Sequence, residues 1–190
     1  MSRLLIVIGS VRPGRVGLPV AEWVHGVAVT HGGFDVEFAD LAKIALPFMD
    51  EPNHPAMHQY TQQHTLDWSA TVDAADAFIF VSPEYNHSFS PALKNAIDYL
   101  FREWRRKPVG FVSYGGVSAG SRGVVGLEPV LTTVALVKTS ANVEIPFVAT
   151  HISDGGAFEP EGRQEEILIK QLDELATLVV ALNPLRWSSR

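Results

Sequence analysis

The chain contains no cysteine. Disulfides, thiolate metal sites, thiol nucleophiles and cysteine-held iron–sulfur clusters are therefore excluded, and the absence fits the cytoplasm. Long apolar runs are missing too. The N-terminal stretch Leu4–Ile8 falls far short of the ~20 apolar residues a spanning helix needs. No small-residue cleavage site follows it, so it reads as a first buried strand and not as a signal segment. Charged residues are only 19% and the formal charge is −6, which argues against nucleic acid and anionic membrane as partners. Two familiar signatures are absent: the Gly-Lys-Ser/Thr ending of a P-loop and the G-x-G-x-x-G dinucleotide fingerprint. His54, His58 and His64 share one polar stretch, but no acidic ligand set joins them, and no metal site is expected.

What is present suits one domain over residues 1–190, with 46% apolar residues to build a core. Strand, loop and helix alternate along it. Strands are expected at Leu4–Ile8, Phe34–Phe38, Ala77–Val81, Val109–Ser113 and Asn142–Phe147. Between and after them, helical spacing predicts helices at Val16–Thr30, His58–Ala74, Pro91–Leu100, Gly123–Val137 and Gln164–Leu182. Ser90 and Pro91 stand in the favoured order for a helix start. Residues 42–57 carry Pro47, Pro52 and Pro55 and read as a surface loop. Five strands interleaved with helices imply α/β architecture: a flavodoxin-like three-layer sandwich around a five-stranded parallel sheet.

Ligands of such sheets bind outside the carboxyl ends of the strands, and three loops leave those ends. The first, Gly9-Ser10-Val11-Arg12-Pro13-Gly14-Arg15-Val16-Gly17, joins a buried strand to a helix N-terminus. Backbone N–H groups, the Ser10 hydroxyl and the cations Arg12 and Arg15 suit a phosphate there. The second, Pro83-Glu84-Tyr85-Asn86-His87-Ser88, follows the greasy run Ala77–Val81. On its residues alone it reads equally as a ligand loop or as a turn capping the next helix. The third, Ser113-Tyr114-Gly115-Gly116-Val117-Ser118-Ala119-Gly120-Ser121, is rich in small residues that let a flat ring lie against backbone amides. It reads equally as a plain connector. Together the three can line one crevice.

Gly9-Ser10-x-Arg12, Pro83-Glu84-Tyr85-Asn86 with Leu93-Lys94-Asn95-Ala96-Ile97-Asp98 behind it, and Tyr114-Gly115-Gly116 resemble the NAD(P)H-dependent FMN reductase family, which includes quinone, azo-dye and chromate reductases. The resemblance runs from about Leu4 to Phe147. It implies FMN as cofactor, with Ser10, Arg12, Arg15 and Gly17 at the phosphate. It puts Pro83, Glu84, Tyr85 and Asn86 along the isoalloxazine, and Tyr114, Gly115 and Gly116 on another side of it. It implies NAD(P)H as electron donor and a small-molecule acceptor such as a quinone, azo compound or free flavin. No side chain is expected to act as acid or base, because the flavin carries the chemistry. The alternative is a flavin-binding electron carrier or sensor without its own NAD(P)H reaction. A homodimer or homotetramer is also expected, since Leu100, Phe101 and Trp104 carry more aromatic and apolar bulk than one sheet face needs and the resemblance implies association.

Overall fold

A computed structural model describes residues 1–187. Five strands form one parallel sheet: β1 (Ser2–Ile8), β2 (Phe34–Asp40), β3 (Ala77–Pro83), β4 (Pro108–Tyr114) and β5 (Val137–Ile145). Their spatial order is β2-β1-β3-β4-β5. The helices are α1 (Gly17–His31), α2 (Leu41–Ile44), α3 (Gln63–Ala74), α4 (Pro91–Asp98), α5 (Ser121–Thr133) and α6 (Gly162–Trp187). Strand alternation sorts the core into two halves. Leu4, Ile6, Ile8, Ile79, Val81 and Val112 point to α1 and α6. Leu5, Val7, Phe78, Phe80 and Phe111 point to α3, α4 and α5. Both faces are thus covered, which is why the runs Leu4–Ile8 and Ala77–Val81 are apolar at every position.

The register aligns the strand ends. Ile8 pairs with Val81, Val81 with Val112, and Val112 with Val143. The chain leaves β1 for β2 on one side and returns past it to β3 on the other, so the order reverses at the β1–β3 junction. A crevice opens at such a reversal.

Two expectations are corrected. Trp104 is core and not surplus bulk for a subunit interface. It is 0% exposed, its ring packs against Phe78 and Trp68, and its Nε1 donates to the Ile97 carbonyl at 3.1 Å. Leu100 is buried with it, so the cluster belongs to the core of one subunit. The predicted helix to Val137 ends instead at Thr133, and β5 begins at Val137. Ala135 adopts a left-handed φ of 57°. Its N–H donates to the Thr132 carbonyl, and the Leu136 N–H donates to that of Leu131. This paired closure usually uses glycine at the left-handed position; alanine hid the stop.

The extra length of β5 sits in a bulge. Pairing steps from Val109–Lys138 to Phe111–Asn142, leaving residues 139–141 against Gly110 alone. α6 fills the gap. Gln171 donates to the carbonyls of Phe111 and Ala141, and Glu174 accepts from the Ser140 and Ala141 N–H groups. A Cβ on Gly110 would lie 2.5 Å from the Gln171 side chain, so only glycine lets that plug approach.

Candidate functional site

The three loops meet at the carboxyl edge. Gly9 extends the pairing of β1 by donating to the Val81 carbonyl at 2.9 Å. Ser10 follows, 1% exposed, and its hydroxyl has no hydrogen-bond partner. Tyr114, at the end of β4 and 4% exposed, also has an unpartnered hydroxyl. Burial pushes its phenol pKa up, against a weaker opposing pull from the neighbouring Ser10 hydroxyl. The two hydroxyls converge on the first residue of α1. A Cβ on Gly17 would lie 2.3 Å from Ser10 Oγ and 2.4 Å from Tyr114 OH. No side chain caps α1. An unsatisfied buried hydroxyl costs about 1–3 kcal/mol, and a helix N-terminus attracts anions. The pair therefore fits an acceptor such as phosphate.

The two arginines of this loop have different fates. Arg15 Nη1 donates to the Ser10 carbonyl at 2.5 Å, and Nη2 contacts Asp40 Oδ2 at 2.6 Å. Burial pushes the Asp40 carboxyl up, but the Arg15 hydrogen bond, the Ala42 N–H and the charges of Arg15 and Lys43 outweigh it and hold the pKa below the usual value. Arg15 thus braces the loop against the end of β2. The Arg12 backbone carbonyl accepts from Arg15 N–H at 3.2 Å, but its exposed side chain makes no ion pair or hydrogen bond with the described residues. It is the cation left to face a ligand.

In the second loop β3 runs on through Pro83, and Glu84 N–H donates to the Tyr114 carbonyl at 3.0 Å. Tyr85 and Ser88 exchange backbone hydrogen bonds at 2.9 and 3.0 Å across Asn86 and His87. Both central residues are left-handed, with φ of 49° and 65°, as a tight two-residue hairpin turn demands. Tyr85 is half-buried and Asn86 exposed at the turn's tip. The helix cap is supplied separately. Ser90 Oγ accepts from Leu93 N–H and donates to the Gly9 carbonyl at 2.5 Å, tying α4 to the first loop. The hexapeptide is a turn, and its tip is free of the capping duty the residues alone allowed for it.

The third loop is pinned on both sides. Gly115 N–H donates to Ile145, and Phe147 N–H donates to Gly116. A side chain on Gly116 would meet nothing within 4 Å, so this backbone presents an open face. Glu84 reaches across to the same loop. Its Oε1 accepts from Ser118 Oγ at 2.9 Å and Arg122 Nε at 2.7 Å, and its Oε2 accepts from Arg122 N–H at 3.2 Å. Burial raises the Glu84 pKa, but the bonds to Arg122 and Ser118 override it and leave it lowered.

All eleven residues expected at the site thus cluster at one edge: Ser10, Gly17 and Tyr114 around the α1 terminus, Arg12 and Arg15 beside it, and Pro83–Asn86 next to Gly115 and Gly116. Sequence reading missed Arg122, and it held Ser118 only as one of the small residues of the third loop. The position of Arg122 was a usable signal: a cation at a helix N-terminus opposes the helix dipole and needs a carboxylate nearby. The histidine stretch pairs off, His58 with Glu103 at 3.3 Å and His64 with Asp50 at 2.9 Å. Among the described residues no cluster of three or more His, Asp or Glu is arranged to hold a metal, and no helix is long and apolar enough to cross a membrane. An apolar cleft of about 400 Å³ lies beside the first loop, lined by Val11, Leu41, Leu46, Phe48 and Pro91 among others.

Known proteins resemble this chain. The chain is 37% identical over 198 residues to the NAD(P)H-dependent FMN reductase ntnL of Nectria sp, covering 94% of this chain and 98% of that protein. It is 42% identical over 120 residues to the NAD(P)H-dependent FMN reductase C4B3.06c of Schizosaccharomyces pombe, covering 62% of this chain and 60% of that protein. An FMN-dependent NADPH-azoreductase of Staphylococcus saprophyticus is 29% identical over 152 residues, with 79% of this chain and 77% of that protein covered. Among solved structures, the flavoenzyme NAD(P)H:(acceptor) oxidoreductase FerB of Paracoccus denitrificans superposes with a TM-score of 0.74 at 20% identity, over 96% of this chain and 99% of that one. That likeness shows a shared flavodoxin-like fold. The sequence model for NADPH-dependent FMN reductase matches residues 2–149, which hold β1 to β5 and all three loops. The chain belongs to the NADPH-dependent FMN reductase family.

Proposed function

We propose that the protein is a flavin-dependent oxidoreductase that binds FMN at the carboxyl edge of its sheet and passes reducing equivalents from NAD(P)H to a small-molecule acceptor. A quinone, an azo compound or free flavin is the acceptor class. Family membership supports the activity. The observation that carries the site is the pair of buried, unpartnered hydroxyls on Ser10 and Tyr114 at the uncapped α1 terminus.

Ser10 and Arg12 hold the phosphate, with the first-turn amides of α1 behind them. Arg15 works at one remove, fixing the Ser10 carbonyl while Asp40 neutralises its charge. Gly17 leaves room for the Ser10 and Tyr114 hydroxyls. Pro83, Glu84, Tyr85 and Asn86 line the isoalloxazine, and Gly115 and Gly116 offer backbone against it. Bound FMN supplies the hydride-accepting and electron-donating chemistry. The chain binds and orients it, and backbone N–H groups favour the charge that develops on reduction.

A single domain over the described residues 1–187 is supported by one sheet shared by both halves of the core. The cell compartment is the cytoplasm, a reading that rests on the missing cysteines. Assembly as a homodimer or homotetramer is supported by the apolar cleft and by Phe48 beside it, 86% exposed. Absorbance spectra of purified protein titrated with FMN, then with NADPH and menadione, test the activity. A bound flavin spectrum that bleaches with NADPH and recovers with menadione is expected. Protein that leaves the FMN spectrum unchanged would refute it.

A further inference from the structure

We infer that Arg122 is a positioning residue of the flavin crevice: it locks Glu84 onto the third loop and cancels the charge that Glu84 would turn toward a bound flavin. The inference rests on the FMN reading above.

Glu84 stands between Pro83 and Tyr85, so its backbone belongs to the crevice wall. Its side chain reaches Ser118 and Arg122 and is nearly sealed from solvent, while the Arg122 side chain is 43% exposed. Oε1 of Glu84 takes two side-chain donors, Arg122 Nε and Ser118 Oγ, and Oε2 takes the Arg122 amide. Arg122 Nη2 also donates to Ser118 Oγ at 2.8 Å, closing a ring of three side chains. Ser118 and Arg122 flank the start of α5, whose own cap position is Gly120 and carries no side-chain acceptor. Glu84 supplies the missing acceptor from another loop, so one carboxylate both caps α5 and joins two walls of the site. The backbone leaves little slack at this joint: a Cβ on Gly115 would sit 3.5 Å from Glu84 Cβ and 3.3 Å from Gly120 N.

Without the guanidinium, a buried carboxylate beside the flavin loses its counter-charge. It either swings toward the crevice or stays as an uncompensated negative charge, and either outcome opposes electron uptake by the flavin. A structural tie alone predicts weaker FMN binding and nothing more. A charge-setting tie also moves the flavin potential, and in opposite directions when opposite partners are removed.

The test uses the full chain and four variants: Arg122→Met, Arg122→Lys, Glu84→Gln and the double Glu84→Gln/Arg122→Met. FMN dissociation constants come from quenching of flavin fluorescence, and the two-electron potential from equilibration with reference dyes. Arg122→Met should weaken FMN about tenfold, the loss of one charge-assisted contact, and shift the potential to more negative values. Glu84→Gln should shift it to more positive values. The double variant should return it close to wild type while staying weak in binding. Arg122→Lys, which keeps charge without the fork, should hold the potential and recover only part of the affinity. If Arg122→Met fails to fold, the Lys, Gln and double variants still carry the comparison. Weaker binding with an unmoved potential in both single variants would overturn the inference, as would shifts of the same sign. Wild type that takes up no FMN would remove the reading beneath it, a different failure from normal uptake by every variant.

Discussion

Arg15 and Asp40 are joined at 2.6 Å across the mouth of the first loop, with the carboxylate 8% exposed. The pair fastens the β1–α1 loop to the end of β2 and leaves Arg12 as the loop's unengaged cation. Arg12→Ala should therefore weaken FMN binding by about tenfold or more with little change in the urea midpoint. Arg15→Ala should lower the midpoint as well. Equal effects of the two on both measurements would contradict this division.

Asp40 also gives an acid-side prediction. Its folded pKa is lowered, so the unfolded chain takes up its proton first. The stabilisation is present in full above the ordinary carboxylate value of 3.8 and is lost as pH falls below it. Asp40→Asn should destabilise the protein at pH 7, and the gap to wild type should narrow in urea melts near pH 3.

Lys107 behaves in the opposite sense. It is buried, donates to the carbonyls of Val72 and Asp73, and burial lowers its pKa to about 8. Below that value the folded state must hold a buried charge. Between about pH 8 and 10 the unfolded chain binds more protons at this site, so its contribution to stability rises with pH. Above pH 10 tyrosines such as Tyr99, raised to about 12 by burial and by Asp50, reverse the trend. Lys107→Met should abolish the rise, as read from urea midpoints at pH 7.5, 8.5 and 9.5.

Tyr114→Phe should separate stability from binding. Removing an unpartnered buried hydroxyl leaves the FMN-free protein as stable or up to ~1–3 kcal/mol more stable. FMN affinity should fall, because the hydroxyl is kept for the ligand. A melting temperature that drops without FMN would contradict this account.

Trp104→Ala should cost about 3–5 kcal/mol, as for a large aromatic removed from a packed core. Sedimentation of the folded variant should match wild type, since the ring faces its own sheet.

Much of this was legible in the chain. Both-face burial writes strands such as Leu4–Ile8 and Ala77–Val81 as unbroken apolar runs, and Ser90-Pro91 marks the start of α4 plainly. The three loops were found because each follows such a run. What escaped needed contacts between distant segments. Ala135 closes α5 without the glycine that would advertise a stop. Trp104 looked excessive only because its neighbours Trp68 and Phe78 are far away in sequence. The tie of Arg15 to Asp40 was out of sight because Asp40 lies on another strand, and Arg122 drew no notice because its partner lies in a different loop.

The bulge in β5 bears on how copies of this protein can meet. The backbone groups it releases are already engaged by Gln171 and Glu174, and the interrupted pairing bends that margin of the sheet out of line. An incoming strand would find there a broken row of donors and acceptors, a poor template for cross-molecule ladder growth. The β5 border thus stays guarded against runaway stacking.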